Sequence, residues 1–97
     1  MIAVMTERAR QIDVEGWTTE QDDALEFEEL PIAAACYILA DAYDSVPDPW
    51  PFAADWWKPK DRRRNLVRAA ALLVAEIERM DRAAERAAAD EQTGGAA

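Results

Sequence analysis

Asp61-Arg62-Arg63-Arg64-Asn65-Leu66-Val67-Arg68-Ala69-Ala70-Ala71-Leu72-Leu73-Val74-Ala75-Glu76-Ile77-Glu78-Arg79-Met80 is the stretch that decides the fold. Leu66, Ala70, Leu73, Ile77, Met80 and then Ala84 recur at alternating steps of four and three. That spacing predicts a long α-helix with one apolar stripe, which Val67 and Val74 widen. Asp61 is suited to cap its start, because a carboxylate there accepts from the free backbone N–H groups of the first turn. The stripe is long enough to continue as an antiparallel pair with another copy.

Upstream, Pro47, Pro49, Pro51 and Pro59 exclude a continuous helix from the segment 45–60, which also holds Trp50, Trp56 and Trp57. So aromatic a loop is expected to pack as a lid or to form a site. Before it, a helix is expected from about Leu30 to Asp44-Ser45, with Pro31 in its first turn and Ile32, Ala35, Cys36, Leu39, Ala40 and Tyr43 as its stripe. Thr18 and Gln21 have the spacing of a capping box, opening a short and very acidic segment from Glu20 to Glu29. The first helix is expected over 3–14, with Val4, Met5, Ala9 and Ile12 at helical spacing and Glu7, Arg8 and Arg10 on other faces; Gly16 stops it. Beyond Arg86 the chain is Ala-rich, and 87–97 is expected to fray. The expected fold is all-α: one domain over 1–86, of three to four helices, with a long Pro/Trp-rich loop before the last and longest helix.

With 97 residues there is room for one modest core. Hydrophobic residues make up 51 %, but many are Ala, which buries little area. Self-association into a homo-oligomer is therefore expected. The net charge of −9 argues against duplex nucleic acid as a partner. No apolar run reaches membrane-spanning length and no secretory signal is visible, so a cytoplasmic location is expected. Cys36, the one cysteine, lies in an apolar run and is expected to be a buried thiol. Histidine is absent, which removes the usual residue of zinc sites and of acid–base catalysis. No catalytic residue, metal site or cofactor is assigned.

Charge is distributed unevenly. From Trp56 to Arg68 six Lys/Arg face only Asp61, whereas residues 1–55 hold thirteen acids against Arg8 and Arg10. A basic island with adjacent indoles suits an anion carrying a flat ring, a nucleotide-like ligand. Arg62, Arg63 and Arg64 would sit in the first turn of the last helix, where cations oppose the helix dipole by roughly 0.3–1 kcal/mol each. Such a placement suggests a use. The candidate ligand-binding residues are Arg10, Trp17, Trp50, Trp56, Trp57, Lys58, Lys60, Arg62, Arg63 and Arg64. The alternative is internal pairing of these cations with the acidic segments, and at least two of the four tryptophans are expected to be core fillers. Glu26 and Glu29, Asp41 and Asp44, and Glu78 and Asp81 form i,i+3 carboxylate pairs of the kind that can hold Mg²⁺. MazG-like all-α NTP pyrophosphohydrolases use such pairs on neighbouring helices.

The chain resembles a widespread group of small phage and prophage proteins. The resemblance runs through Arg8, Arg10-Gln11, Glu15-Gly16-Trp17-Thr18, Asp22-Asp23, Trp50-Pro51, Trp56 to Arg63 and Ala75 to Arg82. Members often carry a His just before the Asp pair, where this chain has Gln21. The resemblance implies a phage setting inside a bacterial host cell. There, small helical oligomers that sequester nucleotide immune signals are a known counter-defence strategy. The function expected is binding and sequestration of a phosphate-bearing nucleotide, a sponge without turnover. The alternatives are a MazG-like Mg²⁺-dependent pyrophosphohydrolase and an acidic inhibitor that binds a protein.

Overall fold

A computed structural model describes residues 2–13, 15–16 and 18–96, with backbone alone beyond Glu91. Among the described residues four α-helices follow in order: α1 (Ile2–Asp13), α2 (Thr19–Asp23), α3 (Glu29–Ile38) and α4 (Arg62–Ala96). Two 3₁₀ turns, Ala40–Ala42 and Ala54–Trp56, interrupt the connection between α3 and α4. There is no strand among the described residues, and no described helix is long and apolar enough to cross a membrane.

The local signals explain where the helices begin. Asp61 caps α4: its Oδ2 accepts from the Arg64 N–H at 3.2 Å and its carbonyl from the Asn65 N–H at 2.9 Å. Thr18 and Gln21 form the full reciprocal capping box of α2. Gly16 takes φ +74°, a left-handed conformation open to glycine without penalty, and turns the chain from α1 to α2. Glu28, ahead of α3, has φ 64° without that freedom and makes no side-chain cap bond. Glu28→Gly is therefore expected to raise stability by up to about 1 kcal/mol, despite glycine's greater entropy when unfolded. A urea melt checks this, and a lower midpoint than wild type would refute it.

α4 is the common partner of α1, α2 and α3. At about 1.5 Å per residue its 35 residues span the 56 Å long axis of the molecule. Leu30, Ala33, Ala34, Cys36 and Tyr37 of α3 pack on Ala69, Leu72 and Ala75 of α4, with Trp50 closing the end. Val4 of α1 packs on Val67 and Ala71. The alanines let the helix axes approach closely. Leu30 and Leu72 are essentially fully buried, each stabilising by about 1.5–3 kcal/mol. Cys36 lies in this core, and burial pushes its thiol pKa up.

The buried faces differ from those expected. On α4 the core face is Val67, Ala69, Ala71, Leu72 and Ala75, while Leu66, Leu73, Ile77 and Met80 stay exposed. On α1 the structure buries Val4, Glu7, Arg8 and Gln11 and leaves Met5, Ala9 and Ile12 outside. Of the stripe expected for the helix after Leu30, Ala35 on α3 and Leu39 and Tyr43 beyond its end are exposed. The cause is that the buried face of α4 is mostly alanine and that of α1 mostly polar and charged, which the apolar periodicity does not mark. α3 also stops at Ile38, not Asp44-Ser45: the Arg62 guanidinium donates to the Ile38 carbonyl, closing the helix end. At the other end, α4 continues through Ala96, past the point where fraying is expected.

Candidate functional site

The island between Trp56 and Arg68 is built from the loop entering α4. Asn65, 1 % exposed, holds the Lys60 backbone from both sides, accepting from its N–H at 2.6 Å and donating to its carbonyl at 2.9 Å. One turn on, Arg68 donates to the Lys58 carbonyl at 3.0 Å and to the Tyr37 hydroxyl at 3.4 Å. That hydroxyl also accepts from the Lys58 N–H at 3.2 Å. Lys58-Pro59-Lys60 is thus clamped by three buried polar side chains. Asn65 and Tyr37 did not stand out in the sequence, because their partners here include backbone atoms of a distant or turning segment.

The aromatic residues divide into two sets. Trp50 is buried, donates Nε1–H to the Ala53 carbonyl at 3.0 Å, and meets Tyr37 and Trp57 edge-on at 5.6 and 4.9 Å. Trp57 stacks on Tyr37 at 4.8 Å. These two are core residues. Trp56 is 37 % exposed, and the Lys58 ammonium lies over its ring at 5.4 Å. Trp17 lies outside the described residues.

Most of the cations have internal partners. Glu7, 1 % exposed, accepts two bonds from Arg10 at 2.8 Å, one from Arg64, and one from Gln11 at 3.4 Å. Burial acts to raise the Glu7 pKa, but the Arg10 bonds and the charges of Arg10, Arg64 and Arg68 outweigh it and hold the carboxyl below its ordinary value. Arg10 also reaches Glu15 at 2.9 Å, and Lys58 lies 3.9 Å from the same carboxylate. Arg62 caps α3, and so offsets the negative end of that helix's dipole. The Lys60 side chain is exposed, and so is that of Arg63, which makes no hydrogen bond or ion pair among the described residues. Arg10 and Arg64 thus pair internally with Glu7 and Glu15 and not with the acids between Glu20 and Glu29, while Arg62 binds a backbone carbonyl.

Beside the island lies a cavity of about 370 Å³. Leu25, Leu30, Phe52, Ala53 and Trp56 form its apolar walls, and Glu15, Gly16, Gln21 and Asp22 its polar side. Of the residues expected to bind ligand, Trp56 lines it, and Lys58 reaches two of its lining residues, the Glu15 carboxylate at 3.9 Å and the Trp56 ring at 5.4 Å. Asp22 is buried and accepts from Arg8 at 3.3 Å. Burial is the strongest influence on it and leaves its pKa above the ordinary value, although Arg8 and Arg82 pull the other way. Arg8 also donates to Glu78 at 3.2 Å. Asp23 turns outward to Arg82 and Arg86, and the Arg82 bonds hold its pKa down. Gln21 and Asp22 reach the cavity because the turn at Gly16 folds α2 back over the loop. That turn and the capping box were the available signals.

Glu26 and Glu29 border a second, acidic hollow of about 290 Å³ with Glu28, Glu76 and Arg79. Glu76 is paired with Arg79 at 2.7 Å. Among the described residues no three acidic, Cys or His groups converge so as to hold a metal ion. Comparison with models of known protein families, with curated proteins and with solved structures found no match.

Proposed function

We propose that the protein binds a nucleotide-like ligand without turnover, its ring in the cavity beside Trp56 and Phe52 and its anionic group at Lys58. The observation that carries this is the chemistry of the cavity. Two aromatic side chains offer faces or edges to a flat ring. Opposite them, Glu15, Gln21 and Asp22 supply acceptors for the amino edge of a base. Phosphate inside would meet two carboxylates, so it belongs outside, near Lys58 and the exposed Lys60. Glu15 and Asp22 are each tied to an arginine, which suits a fixed acceptor better than a group that must exchange protons. In the phage setting implied by the resemblance, such a binder would serve as a sponge for a nucleotide signal, acting as a homo-oligomer.

The test is a thermal-shift and calorimetry panel of cyclic di- and trinucleotides, ADP-ribose derivatives and NTPs, with and without Mg²⁺. A true ligand at a hundred times its Kd should add about 2.7 kcal/mol of stability. Trp56→Ala is expected to weaken binding about tenfold or more, with a smaller loss of stability than the buried Trp50→Ala would cause. Lys58→Ala should weaken the phosphorylated ligand and spare its nucleoside. No response to any compound, or Mg²⁺-dependent release of pyrophosphate from an NTP, would overturn the proposal.

A further inference from the structure

We infer that α4 carries a docking surface for a second copy of this chain, which packs against it antiparallel with Leu66 opposite Ala84, Ala70 opposite Met80 and Leu73 opposite Ile77. Leu66, Leu73, Ile77 and Met80 are 40, 40, 57 and 56 % exposed. At 100° per residue they form one stripe, turned away from Ala71, Leu72 and Ala75 in the core. A stripe with steps of four and three is the seam of a two-helix coiled coil. α4 keeps its large residues on the face its own domain leaves uncovered, with Ala70 half-buried at the edge of the core cluster of Val4, Val67 and Ala71.

Two features select another copy of α4 as the occupant, and select its direction. The seam is complementary to itself about a two-fold axis level with Ala75. In that register large residues meet small ones at both ends, Leu66 on Ala84 and Met80 on Ala70, and Leu73 meets Ile77 in the middle. Charge points the same way. Arg63 continues the seam at its N-terminal end, is exposed, and has no hydrogen bond or ion pair among the described residues. Antiparallel pairing sets it opposite Ala87, with the exposed Asp90 and Glu91 one turn further on. A parallel pair would set Arg63 against Arg63. Antiparallel packing also lays the negative end of one helix dipole beside the arginines of the other.

Sedimentation velocity on the full chain, over a concentration series, tests the assembly, and disulfide trapping tests the register. The wild type should be dimeric at high micromolar concentration, and Leu73→Glu, at a site already exposed in the monomer, should be monomeric and folded by circular dichroism. Under mild oxidation an equal mixture of Leu66→Cys and Ala84→Cys proteins should give a mixed disulfide, with neither linking to itself; Cys36 is buried and serves as the internal control. Arg63→Glu should weaken the dimer about tenfold, and adding Glu91→Arg should restore it. A wild type that stays monomeric, a dimer indifferent to Leu73→Glu, self-linking of Ala84→Cys, or no rescue by Glu91→Arg would each overturn this arrangement.

Discussion

Replacing Glu7 with Ala is expected to lose about 3–5 kcal/mol of folding stability, the magnitude typical of removing one partner from a buried ion pair. Glu7 is 1 % exposed and binds Arg10 twice and Arg64 once. Without it, two guanidinium groups face each other with less compensation, and α1 loses its link to the start of α4. The loss is a large share of the roughly 5–15 kcal/mol that holds a domain together. Glu7→Gln should lose less, since it keeps the shape and an acceptor, but it should change the acid response. A carboxyl whose pKa is depressed by folding contributes stability that is complete at neutral pH and disappears as pH falls through the folded value. Wild type should therefore weaken below about pH 4, and Glu7→Gln should weaken less steeply there. Asp22 works in the opposite sense, because its raised pKa favours the folded state only while it is protonated. Urea melts at pH 7 and at about pH 3 measure both effects. A Glu7→Ala midpoint equal to wild type would mean that Arg10 and Arg64 are indifferent to the carboxylate. The hub also reaches the cavity, since Arg10 bridges Glu7 to Glu15 on its wall.

How much of this was legible depends on distance along the chain. The Asp61 cap and the Thr18–Gln21 box lie within four residues, and their spacing reports them directly. The Glu7–Arg64 bond spans 57 positions and Lys58–Tyr37 spans 21, so the sequence shows the charges without their partners. α4 has two apolar faces. Leu66, Leu73, Ile77 and Met80 form the more conspicuous one, but Ala69, Ala71 and Ala75 form the one that α1 and α3 can approach. Periodicity weights residues by size and so singled out the face that the domain leaves open. The same limit applies at the island: two indoles and several cations were visible, yet which of them are internal is decided by the fold of α1 and α3 onto α4. Of the ten candidate residues, Trp56 lines the cavity and Lys58 reaches two of its lining residues, while Glu15, Gln21, Asp22 and Phe52 complete it.

Trp50 and Trp56 lie six positions apart and should behave in opposite ways. Trp50→Ala is expected to lose about 3–5 kcal/mol, as for other buried tryptophans. The indole is 8 % exposed and touches Tyr37, Phe52 and Trp57 with ring centroids 4.9–5.7 Å apart. Removing it leaves a void between α3 and the loop, and the Ala53 carbonyl loses its Nε1–H donor. In a 97-residue chain each kcal/mol is worth about 4–8 °C of melting temperature, so the variant should be partly unfolded at physiological temperature. Trp50→Phe should recover part of the packing but not the hydrogen bond, and should fall between the two. Because Phe52 and Ala53 lie on the cavity wall, ligand affinity should fall together with stability in Trp50→Ala, whereas Trp56→Ala should lower affinity with a smaller loss of stability. Equal melting temperatures for Trp50→Ala and wild type would show that the loop does not depend on this indole. A large stability loss in Trp56→Ala would place that ring in the core, and the cavity would then lack the accessible aromatic wall on which ring binding depends.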